Sequence, residues 1–220
     1  VEINKKEKES KQVLVFDFDG TIADTFDLVL EIFQEVSGRV FSEEEIKQSR
    51  DLSTKELLKE LKIPKLKVPF FIKRARQKLG ERILRARPFE GLLEVLKNLS
   101  VAGYQQVILT SNSRENVDKF LKKYQMESFF RDVWADVGVF SKVSTFRKLA
   151  KQEDRRVSEL VSIGDETRDI EAAKKVGAIA VAVTWGFDSK ELLKKTGPDF
   201  LVESPGELRE TLVEISSKSR

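Results

Sequence analysis

Four consecutive apolar residues, Val13, Leu14, Val15 and Phe16, stop abruptly at the polar run Asp17-Phe18-Asp19-Gly20-Thr21. An apolar run closed by a polar loop is the pattern of a buried strand. From Phe26 to Arg87 the rhythm is helical instead. Phe26, Val29, Leu30 and Phe33 share one helical face, and Ser42 with Glu45 and Ser53 with Glu56 have the spacing of capping boxes. Pro64 and Pro69 are expected to interrupt this stretch before it resumes at Phe70, and no strand is expected within it. Asp24 and Thr25 read as structural, since either can cap the helix that starts near Phe26.

From Pro88 helix and strand alternate. Helices are predicted over 92–99, 114–124, 143–151, 169–176 and 205–215, and strands over 106–109, 133–137, 160–163, 179–183 and 200–202. Short apolar strands separated by amphipathic helices predict an α/β fold, a Rossmann-like parallel sheet with helices on both faces. Residues 1–25 and 88–220 then form the α/β core, and 26–87 form an inserted α-helical cap. The polar leader Val1 to Lys11 is expected to be frayed.

Composition narrows the chemistry. The chain has 220 residues, 40 Lys plus Arg against 37 Asp plus Glu, and neither Cys nor His. Disulfides, thiol nucleophiles, histidine bases and His- or Cys-bound metals are excluded, which leaves carboxylates, hydroxyls, Lys, Arg and a hard metal. The net charge of +3 does not point to nucleic acid. No apolar run is long enough for a membrane span and no signal-peptide core follows the charged start, so a cytoplasmic protein with no membrane partner is expected. Oligomeric state is not legible.

In a parallel α/β sheet, ligands bind beyond the carboxyl ends of the strands. Asp17 and Asp19, Thr110-Ser111-Asn112-Ser113, and Gly164-Asp165-Glu166-Thr167-Arg168-Asp169 all fall there, and Lys142 joins them from the start of a helix. Separated carboxylates brought to one sheet end repel one another unless a cation sits among them, and all-oxygen ligands suit Mg²⁺. Taken singly, each such Asp is as readily a helix cap or turn former, and Lys142 a solvated side chain. Asn112 and Arg114 admit two readings, contact with substrate or support of a helix N-terminus.

The joint pattern resembles the haloacid dehalogenase superfamily over most of the chain. Asp17-Phe18-Asp19-Gly20-Thr21-Ile22 is similar to the family's first motif, Thr110 to its second, Lys142 to its third, and Gly164-Asp165 with Asp169 to its fourth. The stretch from Ile170 to Gly177 is similar to the phosphoglycolate phosphatase and beta-phosphoglucomutase branch, which carries a helical cap after the first motif. The resemblance implies a Mg²⁺-dependent phosphatase acting on a small phosphorylated metabolite through an aspartyl phosphate. It makes Asp17 the nucleophile and Asp19 the general acid and then base. Lys142 and Thr110 act on the phosphoryl group, and Gly20, Ser111 and Asn112 contact substrate. Asp17, the Asp19 carbonyl, Asp165 and Asp169 serve the metal. Asp19 also points away from the dehalogenases of the family, which do not retain it.

Two departures stand out. Relatives usually carry Pro after the third-motif lysine, where this chain has Val143, and the glycine frequent in the cap's specificity loop is not evident around Arg50. Arg50 is open to two readings, substrate recognition at the non-phosphate end or interaction with a helix C-terminus. The segment from Lys65 to Arg87, with nine Lys or Arg and only Glu81 as an acid, either attracts anions or forms a solvated face. A sugar phosphomutase is the alternative enzyme, and a non-catalytic interaction protein the alternative outside catalysis.

Overall fold

A computed structural model describes residues 12–60, 66, 68–138 and 141–218. The leader Val1 to Lys11, together with Pro64, Lys65 and Lys67, lies outside the described residues.

The first strand, β1 (Val13–Phe16), is buried along its whole length and is central in a six-stranded parallel sheet. It pairs in register with β4 (Gln105–Leu109) on one side and β6 (Leu160–Gly164) on the other. The sheet is completed outward by β5 (Asp132–Trp134) beyond β4, and by β7 (Ile179–Val183) and then β8 (Phe200–Val202) beyond β6. A central parallel strand needs apolar residues on both faces, and β1 supplies them by simple alternation. Leu14 and Phe16 enter one core with α5 (Leu92–Val101), α6 (Arg114–Lys123) and α10 (Pro205–Lys218). Val13 and Val15 enter the other with α7 (Lys142–Gln152), α8 (Thr167–Val176) and α9 (Lys190–Thr196). Helix α9, with only Leu192 and Leu193 as apolar residues, is absent from the sequence reading.

Between β1 and β4 the chain makes a two-stranded antiparallel ribbon, β2 (Ala23–Asp24) with β3 (Arg87–Pro88). The ribbon returns the inserted helices to the point where they left, and it corrects the expectation that no strand occurs up to Arg87. The insert contains α1 (Phe26–Ser37), α2 (Glu43–Ser49), α3 (Thr54–Glu60) and α4 (Val68–Arg82). Both capping boxes form, Ser42 with Glu45 and Ser53 with Glu56. Pro69 does not interrupt a helix: it sits in the first turn of α4, where its missing N–H has no intrahelical acceptor to serve.

The face of α1 formed by Phe26, Val29, Leu30 and Phe33 is only partly buried, whereas Leu28 and Ile32 are the residues that enter the core. Its aromatic members line a cavity of about 220 Å³ between the insert and the sheet. Part of the basic stretch is paired. Lys78 and Arg82 bond Glu35 at 2.7 Å and Arg85 bonds Glu31 at 3.0 Å, so these cations tie α4 and the turn after it to α1. Among the described residues no helix is long and apolar enough to cross a membrane.

Candidate active site

Strand endings and helix starts bring four charged groups together. Asp17 follows β1 and extends its ladder, its N–H donating to the Ile163 carbonyl at 2.8 Å. Asp165 follows β6, and Asp169 lies in the first turn of α8. One carboxylate oxygen from each of the three lies within 4.8 Å of the others. Lys142, the first residue of α7, joins them. Its ammonium stands 3.0 Å from Asp17 Oδ2 and donates to Asp169 Oδ1. All four are buried. Burial alone would lower the pKa of the Lys142 ammonium, but Asp169 and Asp17 outweigh it and the net shift is upward.

Three carboxylates against one ammonium leave an excess of negative charge. Burial pushes Asp17 up to about 7, opposed by Lys142 and reinforced by Asp169. Burial likewise raises Asp165 well above the ordinary carboxylate range, with Glu166 and Asp17 adding to it. Asp17 Oδ2 is buried and accepts no hydrogen bond, since the Lys142 ammonium approaches it outside bonding geometry. An orphaned anionic oxygen in an all-oxygen cluster fits a hard divalent cation such as Mg²⁺, which would relieve both the repulsion and the unmet acceptor.

Asp165 is fixed from two sides. Thr21 Oγ1 donates to its Oδ1 at 2.5 Å, and the Phe187 N–H donates to its Oδ2 at 2.8 Å. Gly20, at φ +76°, lies against this carboxylate, and a Cβ there would collide with it. The structure therefore shows Gly20 making room for Asp165.

Asp19 stands apart from the cluster. Its carboxylate accepts from Thr25 Oγ1 at 3.1 Å and from Asn112 Nδ2 at 3.1 and 3.0 Å, one to each oxygen. Burial raises it to about 6 against the lowering effect of those two donors. Thr25, one of the two residues able to cap α1, makes no side-chain cap bond, and its hydroxyl instead serves Asp19. Sequence alone offers no means to separate the two roles, because a threonine before a helix suits both. Asn112 is held in turn by Asn116, a residue the sequence reading passed over. Thr110 is buried at the end of β4, where its Oγ1 accepts the Asn112 N–H at 3.0 Å, while Ser111 beside it is partly exposed.

Arg168 and Glu166 are further charged residues of the site to which no role was given. The Arg168 guanidinium donates from Nη2 to Glu166 Oε1 at 2.8 Å, its Nε stands 2.7 Å from Glu166 Oε2 as an ion pair, and it is raised further above its usual range, burial being outweighed by Glu166, Asp169 and Asp17. Glu166 also accepts from Thr54 of α3 at 2.7 Å. Arg50 lies at the C-terminus of α2 and reaches across to the sheet side. It donates to the Gly186 carbonyl at 2.5 Å, its guanidinium stacks over Phe26 at 4.8 Å, and its carbonyl accepts from Ser189. It also borders the cavity, opposite Glu166 and Asp188.

Residues 14–183 match the haloacid dehalogenase-like hydrolase family. The phosphoglycolate phosphatase of Synechococcus elongatus is 31% identical over 208 residues, spanning 93% of this chain and 98% of its own length. Pyrophosphatase PpaX of Listeria welshimeri is 26% identical over 208 residues, 89% of this chain and 93% of its own. Among solved structures, one from Clostridium acetobutylicum described as a predicted phosphatase shares the fold with a TM-score of 0.80 at 20% identity, covering 93% of this chain and 99% of that one.

Proposed function

Because this chain belongs to the haloacid dehalogenase-like hydrolase family, we propose that it hydrolyses the phosphate monoester of a small metabolite of the phosphoglycolate class, with Asp17 as nucleophile. The observation that carries the reading is the division of labour among the carboxylates. Asp17, Asp165 and Asp169 converge with Lys142, while Asp19 is held separately by Thr25 and Asn112.

Asp17, Asp165 and the Asp19 carbonyl would hold Mg²⁺, with Asp169 ordering its surroundings, and the ion would supply neutralising charge for the phosphoryl oxygens. Lys142 holds Asp17 and adds positive charge beside it. The Thr110 hydroxyl and the Ser111 N–H orient the phosphoryl group, the Asn112 and Ser113 N–H groups being engaged by the Thr110 and Asn112 side chains. An Asp17 oxygen forms a bond to phosphorus as the bond to the ester oxygen breaks, and Asp19 gives its proton to that oxygen. Asp19 then takes a proton from water, the water oxygen bonds to phosphorus, and Asp17 is released with inorganic phosphate. A carboxyl group raised to about 6 carries the proton in a useful fraction of molecules near neutrality.

The insert over 26–87 acts in this reading as a cap, with Arg50 meeting the part of the substrate that is not phosphate. Thr54 and Arg50 are where it touches the site's own loops. The test is a phosphate-release screen with Mg²⁺ over 2-phosphoglycolate, sugar phosphates and pyrophosphate. A clear preference for a monoester supports the reading. Preference for pyrophosphate, or conversion of a sugar phosphate to its isomer without phosphate release, contradicts it.

A further inference from the structure

We infer that Asn116 is a positioning residue for Asp19, and that through it the orientation of the acid depends on the seating of helix α4. The inference rests on the phosphatase reading above, in which Asp19 protonates the leaving group.

The Asn112 amide presents its Nδ2 to both oxygens of Asp19. An amide can face either way, and the end that faces Asp19 is decided by what its other end meets. Asn112 Oδ1 accepts from the Ser113 N–H at 2.8 Å and from Asn116 Nδ2 at 2.8 Å. Turned around, Asn112 would set its own acceptor against the Asp19 carboxylate and leave two donors unmet. Asn116 uses its second hydrogen on the Arg76 carbonyl of α4 at 3.1 Å. One chain of bonds thus runs from the inserted helix through two buried amides to the acid.

Two features speak against a mere packing role for Asn116. Its neighbours on the buried side of α6 are Val117, Phe120 and Leu121, so an amide there carries a desolvation cost that only its hydrogen bonds offset. Facing it on α4 is Gly80, inside a helix, where glycine costs about 0.5–1 kcal/mol relative to alanine. Gly80 is not among the residues with positive φ, so its backbone gives no reason for glycine. Space does: a Cβ there would stand 2.5 Å from Asn116 Oδ1. The helix thus carries a glycine where the amide must fit.

The experiment compares Asn116→Ala and Gly80→Ala with the wild type. The readout is kcat/KM with Mg²⁺ for p-nitrophenyl phosphate, whose leaving group needs little protonation, and for a simple alkyl phosphate, whose leaving group needs it. In both variants the ratio of the first to the second is expected to rise by about tenfold, a part of what acid catalysis supplies. Gly80→Ala raises helix propensity but sets its Cβ against Asn116, so a melting curve for each variant accompanies the kinetics, and the ratio of the two esters, which a general loss of folded protein leaves unchanged, is the deciding readout. Equal loss on both esters, or no change in the ratio, overturns the inference while leaving the phosphatase reading standing. A wild type that releases phosphate from neither ester nor from 2-phosphoglycolate overturns both.

Discussion

The carboxyl end of the sheet and the helices inserted after β2 are held in very different ways. Every residue of β1 is buried, and Asp165 is fixed by bonds from both Thr21 and the Phe187 backbone. Among the described residues, α2 and α3 bury none of their side chains and α4 buries only Leu79. Leu28, Ile32 and Leu79 enter the core, and the rest of the insert meets the sheet side through scattered polar links, Arg50 to Gly186, Thr54 to Glu166 and Arg76 to Asn116, beside a cavity. Few buried apolar contacts mean low local stability, and moving parts of enzymes come from such regions. In the reading proposed above, the difference assigns reaction chemistry to the tightly held end of the sheet and choice of substrate to the loosely held insert.

Substitutions at the rigid end should therefore abolish chemistry, and those in the insert should tune it. The largest effect is expected from Asp17→Asn, which removes the nucleophile and should lower turnover by at least about 10⁴-fold, measured as phosphate release. Circular dichroism should show the fold retained. Residual turnover near the wild-type rate would break the assignment.

Next comes Asp19→Ala. Its kcat/KM on alkyl phosphates should fall by about 10²–10⁴-fold and by much less on p-nitrophenyl phosphate. A uniform loss across leaving groups would remove Asp19 from the role of acid.

A third expectation concerns stability. The folded values of Asp17 and Asp19, about 7 and about 6, lie above the ordinary 3.8, so the folded chain binds more protons than the unfolded one between about pH 4 and 7. Stability without metal should then fall as pH rises through that window. Melting curves should show a drop of roughly 5 °C between pH 5 and 8, largely reversed at pH 8 by Mg²⁺. A metal-free protein that gains stability toward pH 8 would contradict this electrostatic account.

The smallest effect is expected in the insert. Arg50→Ala should raise KM for an acidic substrate by about tenfold while p-nitrophenyl phosphate is less affected. Equal effects on both would mean that the arginine only latches the insert to Gly186.

The same contrast governs how much the sequence reveals. The span Ile179–Val183 is apolar throughout and flanked by breaks, and it is the strand it reads as. Asp17, Lys142 and the pair Asp165 and Asp169 are far apart in sequence, yet they are legible together because strand ends and the helix starts beyond them deliver them to one place. The ribbon of β2 and β3 is not legible, because two residues per strand leave no period to read. Pro69 misleads because proline ends a helix or begins one, and only the chain before it decides which. The aromatic face of α1 lines a cavity while Leu28 and Ile32 enter the core, since the insert packs on two sides. Asn116 was missed because a lone polar residue on an apolar helix face means nothing until its partner, Arg76, is seen beside it.

The central claim is that phosphate passes through Asp17, and trapping the phosphoprotein tests it most directly. Enzyme mixed with radiolabelled 2-phosphoglycolate and Mg²⁺ and quenched in acid during turnover should carry label on the protein, stable in acid and released by hydroxylamine. The label should be absent from Asp17→Asn. Steady phosphate release with no labelled protein at any time, or undiminished labelling of Asp17→Asn, would contradict the account.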